Sequence, residues 1–222
     1  MKKRVCTMFF LALQFVAAAM VFGQNGVIKE LMGTVELKQA GQAVFVPAKV
    51  GDAVAKDTIV SSGFKSTALI TVGSTVITVR PLTRLSLAEI SSAAGTQTIN
   101  VSLQAGRVRV DVNPPAGTRA ITTVQSPVAT ASVRGTSFEL DTRNLSVQEG
   151  TVAYKGKKGA VMLVSAGSAS LVSEDNKAVD PMVKAVTELL PPLPSGVRSE
   201  FTYQGSGITS TPQADVAITL GY

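Results

Sequence analysis

The sequence predicts an all-β protein, a twisted β-sandwich or a short solenoid-like array of short strands, with one short C-terminal helix and an extended tail. Three observations carry this. Apolar and polar residues alternate over short runs, as in Ile99, Val101 and Leu103. β-Branched residues are abundant in those runs, and Gly, Ser, Asn, Asp and Pro separate them. No long window before residue 180 keeps a helical period.

Taken in order, Thr34 to Lys38 and Val44-Phe45-Val46 predict strands around a turn at Gln39-Ala40-Gly41-Gln42. Lys49-Val50-Gly51-Asp52 predicts a turn in which Gly51 can take positive φ, and Ile59 to Gly63 closes that unit. Ala68 to Val72 and Val76 to Arg80 flank Gly73-Ser74, a two-residue hairpin connection with glycine at its first central position. Leu82, Leu85 and Leu87 continue the pattern, and Ser91 to Thr96 reads as a polar loop. Four glycines, Gly33, Gly106, Gly150 and Gly167, each lead a period-two strand such as Gly-Thr-Val-Glu-Leu, at irregular intervals. The most unusual stretch is Thr123 to Leu140, TVQSPVATASVRGTSFEL. Val128, Ala131 and Val133 lead into Arg134-Gly135-Thr136, and Phe138 and Leu140 lead out. Val133 and Phe138 are an odd number of residues apart, so alternation alone would place them on opposite faces. A β-bulge at Gly135 is the expected way to bury both.

Helix signals are confined to Asp180–Leu190. Asp180 can cap, Pro181 suits the first helical position, and Met182, Val183, Val186, Leu189 and Leu190 share a face before Pro191-Pro192. So short a helix is marginal alone, and its apolar face is expected to dock on the β-domain or on a partner. The expected organisation is a leader over 1–23, a β-domain over 24–178, the helix over 179–190, and a Pro-rich linker and tail over 191–222, the tail ending in an alternating stretch from Val216 to Tyr222.

Apolar residues make up 45% of the 222 residues and charged ones 16%, enough for a core. The formal charge is +6, but setting aside Lys2, Lys3 and Arg4 leaves 18 bases against 15 acids. That balance, with no basic run, argues against a nucleic-acid surface. The cationic start and the apolar run from Val5 to Phe22 predict export by a signal cut before Gln24. Retention of the same run as a membrane anchor is the alternative, and the only route to membrane contact. Cys6 is the one cysteine and would leave with the leader, so no disulfide or thiolate site is expected.

The chain has no histidine, and beyond the leader no cysteine, which excludes triads, Cys-His pairs and the usual zinc sites. Glu139 and Asp141 would share a strand face, as solvated charges commonly do, and a carboxylate-based envelope hydrolase is the distant enzymatic reading. Ser165 and Ser168 have no spacing to Lys157 and Lys158 that favours a dyad. Glu174-Asp175-Asn176 reads as a solvated hairpin turn rather than a calcium loop. Gly156-Lys157-Lys158-Gly159 reads as an exposed turn rather than a phosphate loop. The expectation is a protein without enzymatic activity, cofactor, metal or evident small-molecule ligand. Arg134, alone among small and apolar residues, is read as structural, its five donors tying carbonyls and one carboxylate together. Asp111, Glu149 and Asp52 are the candidate acids.

Ser126 to Phe138, followed by Val147-Gln148-Glu149-Gly150-Thr151-Val152, resembles the core of the FecR domain family, in which an Arg-Gly-Thr-x-Phe segment precedes a Glu-Gly-x-Val turn. The earlier segments Gly33-Thr34-Val35, Val50-Gly51-Asp52, Thr58 to Gly63, Ser66 to Ile70 and Leu103 to Val108 occur in family order, so the resemblance spans roughly 27–173. Gly73-Ser74 departs from the commoner Asp-Gly-Ser. The resemblance implies an all-β extracytoplasmic domain. In signalling members that domain receives the state of an outer-membrane receptor while a cytoplasmic segment controls a sigma factor. Here the apolar run stands where that segment would be, which favours a stand-alone exported domain that binds or scaffolds an envelope protein. The membrane-anchored envelope sensor is the alternative. Arg134, Gly135, Thr136, Phe138, Glu149 and Gly150 carry the family motif and are expected to be structural rather than ligand-binding.

Overall fold

A computed structural model describes residues 25–189. Within them lie seventeen strands. They are β1 (Gly26–Met32), β2 (Val35–Lys38), β3 (Val46–Pro47), β4 (Ala53–Val54), β5 (Ile59–Ser62), β6 (Thr67–Val72), β7 (Thr75–Val79), β8 (Arg84–Ala93) and β9 (Thr96–Ala105). After them come β10 (Arg107–Val112), β11 (Arg119–Gln125), β12 (Ala129–Val133), β13 (Ser137–Asp141), β14 (Asn144–Glu149), β15 (Thr151–Gly156), β16 (Met162–Ser165) and β17 (Ala169–Leu171), then one helix, α1 (Pro181–Leu189). The all-β expectation with a short C-terminal helix holds. The expected leader over 1–23 and the expected linker and tail from 191 lie outside the described residues.

The strands form two sheets. Sheet A runs β17-β14-β13-β10-β7-β6-β1-β4, and sheet B runs β16-β15-β12-β11-β9-β8-β5-β2-β3. Pairing is antiparallel throughout except between β9 and β11. One core lies between the sheets, drawing on Ile70, Ile77, Val110 and Phe138 from sheet A and on Leu85, Leu103, Val124 and Tyr154 from sheet B. Alternation is the cause, because each strand turns every second side chain inward, as in the buried and half-buried pattern of β7. Strand order in both sheets follows the chain apart from the first few strands, so the two sheets grow side by side as the chain passes between them.

Each passage between sheets is made at a corner with one positive-φ residue. Glycine serves at 33, 51, 106, 117, 135, 150 and 167, and Asp57, Lys65 and Leu82 serve at the other three. A left-handed residue bends the chain sharply enough to let both flanking strands keep their apolar faces inward. The recurring glycine-led strands are these corners, and their irregular spacing reflects whether one strand or a hairpin separates consecutive passages. Gly73-Ser74 forms the expected hairpin connection, with Val72 opposite Thr75 and Gly73 at φ 55°.

Helix α1 departs from its expected docking. Asp180 Oδ1 caps the Met182 N–H at 2.8 Å, and the helix lies against β17. None of its residues is buried, and Met182 and Leu189 are 75% and 83% exposed. Lys184, whose side chain is far more covered, faces the domain and pairs with Glu188 at 2.5 Å. The apolar stripe therefore faces away from the sheets.

Candidate functional site: the Arg-Gly-Thr corner

Val133 ends β12 in sheet B and Ser137 begins β13 in sheet A, so Arg134-Gly135-Thr136 is a corner between sheets. The bulge expected at Gly135 is not what resolves the odd spacing of Val133 and Phe138. They point into the same core from opposite sheets. Gly135 supplies the bend at φ 72°. A register shift does occur nearby, between Ser137 and Phe138 opposite β14, and it leaves both residues buried.

The second half of the motif packs directly on the first. Gly150 is the next corner, at φ 75°, and a Cβ there would run into Thr136 Cγ2 and lie 3.2 Å from Thr136 Cβ. The same arrangement occurs one layer earlier in the chain. A Cβ at Gly106 would lie 2.5 Å from Thr83 Cα and 2.6 Å from Leu82 O. There the Thr83 hydroxyl accepts from the Arg107 N–H and reaches the Arg107 carbonyl, both at 3.0 Å. Thr136 occupies the equivalent place, but its buried Oγ1 meets no partner. Phe138 is fully buried, opposite Val110 and Val147. Gly135, Thr136, Phe138 and Gly150 therefore build stacked corners over the core.

Arg134 does not take the role expected of it. It is exposed and makes no hydrogen bond or ion pair with any described residue. The candidate acid Asp111 is taken by Arg109 at 3.1 Å and by the Ser137 hydroxyl. Asp52 holds the Lys49 N–H at 2.7 Å, and Glu149 is exposed at the end of β14. Sequence reasoning placed Arg134 at the centre but could not know which acids its neighbours would claim.

A group of four charged side chains, Arg80, Arg107, Glu139 and Asp141, gathers on the outer face of sheet A. Glu139 pairs with Arg80 and Arg107, each at 3.4 Å, and Asp141 with Arg107 at 3.7 Å. These residues, with Pro81, Leu82, Gly106 and Thr142, line an open groove of about 640 Å³. Burial alone would raise the Asp141 carboxyl. The N–H groups of Arg143 and Asn144, the Asn144 amide and Arg107 outweigh it and hold the group below its ordinary 3.8. A depressed acid stabilises the fold above its unfolded value and loses that contribution as pH falls through its folded value. Asp141→Asn should therefore melt below the wild type at pH 7, and the gap should close on acidification below about pH 4. Thermal melts from pH 7 to pH 2 read this directly. Glu139 and Asp141 do share a face as expected, each ion-paired with a neighbouring arginine. Burial also pushes up the Tyr154 phenol, which donates to the Arg143 carbonyl at 2.6 Å. Among the described residues no cluster of acids, histidines or cysteines has metal-site spacing, and no helix is long and apolar enough to cross a membrane.

No curated protein matches the chain. Two crystal structures of a proposed anti-sigma factor from Parabacteroides distasonis ATCC 8503 resemble it, at 19% and 20% identity and TM-scores of 0.44 and 0.43. They cover 58% of this chain, which in turn spans 64% and 63% of theirs. Residues 57–153, a span that holds every corner residue from Arg134 to Gly150, match the family described as FecR protein.

Proposed function

We propose that this chain is an exported, non-catalytic FecR-type module that acts by binding a protein partner in the cell envelope, with Arg134 as a contact point. The observation that carries this reading is that the Arg134 guanidinium meets no carboxylate among the described residues. Arg80, Arg107 and Arg109 each pair with a carboxylate, whereas Arg134, like Arg84, Arg119 and Arg143, has no carboxylate partner among the described residues, and of these it is Arg134 that stands exposed on the corner fixed by Gly135, Thr136 and Gly150. A planar five-donor group held on rigid backbone suits a carboxylate offered by another protein, because little freedom is lost when the contact forms. The ion-paired carboxylates on sheet A and the lack of histidine support a role without catalysis. The cationic start and the apolar run from Val5 to Phe22 support export.

One experiment tests the parts together: capture from envelope extracts with the tagged full chain and its Arg134→Ala variant, with the captured chain's first residue read by mass spectrometry. Arg134→Ala should leave stability within about 0.5 kcal/mol, as for an exposed side chain without partners. It should also lose most of the captured partner. A marked fall in melting temperature, or undiminished capture, would overturn the role of Arg134. A chain starting near Gln24 supports the exported module. A chain that keeps residues 1–23 instead supports a membrane-anchored sensor, a reading that the Val5–Phe22 run, near the lower length limit for crossing a bilayer, allows.

A further inference from the structure

The outer strand of a sheet offers unpaired N–H and C=O groups to any other strand, and folded proteins protect such edges with proline, charge, short length or a cover. Among the described residues, three of the four sheet edges are protected. Strand β3 has two residues and one is Pro47, and β4 also has two residues. Strand β17 is covered: Val172 bridges Ala178, the Val179 N–H donates to Leu171 O at 2.8 Å, and α1 lies against it. Strand β16 has none of these devices. Residues 159–173 contain no charge and no proline. Val161 and Leu163 are 54% and 70% exposed.

Backbone direction adds to this. The Ala166 N–H donates to Gly150 O at 2.8 Å, in register with the β15–β16 pairing. Hydrogen-bonded positions alternate along an antiparallel pair. Val164 and Met162 therefore exchange bonds with β15, and Leu163 and Val161 turn their N–H and C=O groups away from it, toward the open edge.

We propose that two copies of this chain pair through β16, antiparallel about a two-fold axis at Leu163, joining two B sheets into one. The edge carries no charge that could select an acidic or basic partner strand, so its complement is another neutral, apolar strand, and its own copy is one. A two-fold pairing sets each Leu163 against its counterpart. It also places Lys158 opposite the uncharged stretch around Ala166–Ser168, so no like charges meet. This inference is independent of Arg134, which lies on a corner rather than on this edge.

Sedimentation of the full chain over a wide concentration range tests it, with Leu163→Lys and Leu163→Pro beside the wild type. The lysine sets like charges across the axis. The proline removes an N–H that points outward, so the ladder to β15 keeps its bonds. The wild type should show a concentration-dependent dimer, and each variant should raise the dimer dissociation constant by about tenfold or more at an unchanged melting temperature. If the proline variant melts early, the lysine variant alone decides. A wild type that stays monomeric throughout, or a dimer that survives the lysine substitution, overturns the proposal.

Discussion

Phe138→Ala is expected to cost about 3–5 kcal/mol, the range for truncating a buried aromatic side chain. Phe138 is fully buried, at the start of the strand that leaves the Arg-Gly-Thr corner, and is flanked across the sheet by Val110 and Val147. Those neighbours are held by their own ladders, so they cannot close in on the space left behind. The loss thus combines transfer and cavity contributions. For a domain of this size the melting temperature should fall by about 10 °C or more. Phe138→Leu should recover more than half of that, since it refills most of the volume. A fall of only a degree or two in the alanine variant would mean that this corner does not close the core.

Gly150→Ala should be nearly as damaging, at about 2–4 kcal/mol, for two separable reasons. At φ 75° an alanine bears left-handed strain of about 1 kcal/mol or more. Its methyl would also run into Thr136 Cγ2. Thr136→Ala removes that methyl together with a buried hydroxyl that has no partner. The double variant should therefore regain the steric part and keep the conformational part, leaving a coupling of about 1 kcal/mol or more between the two positions. Chemical denaturation of the four proteins of this cycle measures it. Simple additivity would show that the two halves of the motif are not in contact.

These two residues show how far the sequence could be read. The strands came from alternation, which needs only local information, and Gly33, Gly106, Gly150 and Gly167 were visible as strand leaders. What they do was not visible. A strand with one apolar face looks the same whichever sheet it joins, so an odd spacing such as Val133 to Phe138 reads as a bulge until the sheet assignments are known. The non-glycine corners at Lys65 and Leu82 were missed because side-chain identity there gives no sign of positive φ, and Asp57, of a type that tolerates it, has no neighbouring turn signal strong enough to single it out. The helix was placed by its cap, its proline and its spacing. Its orientation depends on Lys184 and on β17, which no local signal includes.

Composition, alternation and turn chemistry were thus enough to establish an all-β chain with a short helix, to leave no histidine-based chemistry, and to mark the segment from Arg134 to Gly150 as the motif of the family resemblance. These are properties of residue type and of neighbours in sequence. Tertiary structure decided which sheet each strand enters, that Gly150 rests on Thr136, and that Arg134 meets no acid among the described residues while Asp111 goes to Arg109. Such outcomes rest on which distant groups arrive first in space at a given carboxylate or methyl, and sequence spacing does not encode that competition.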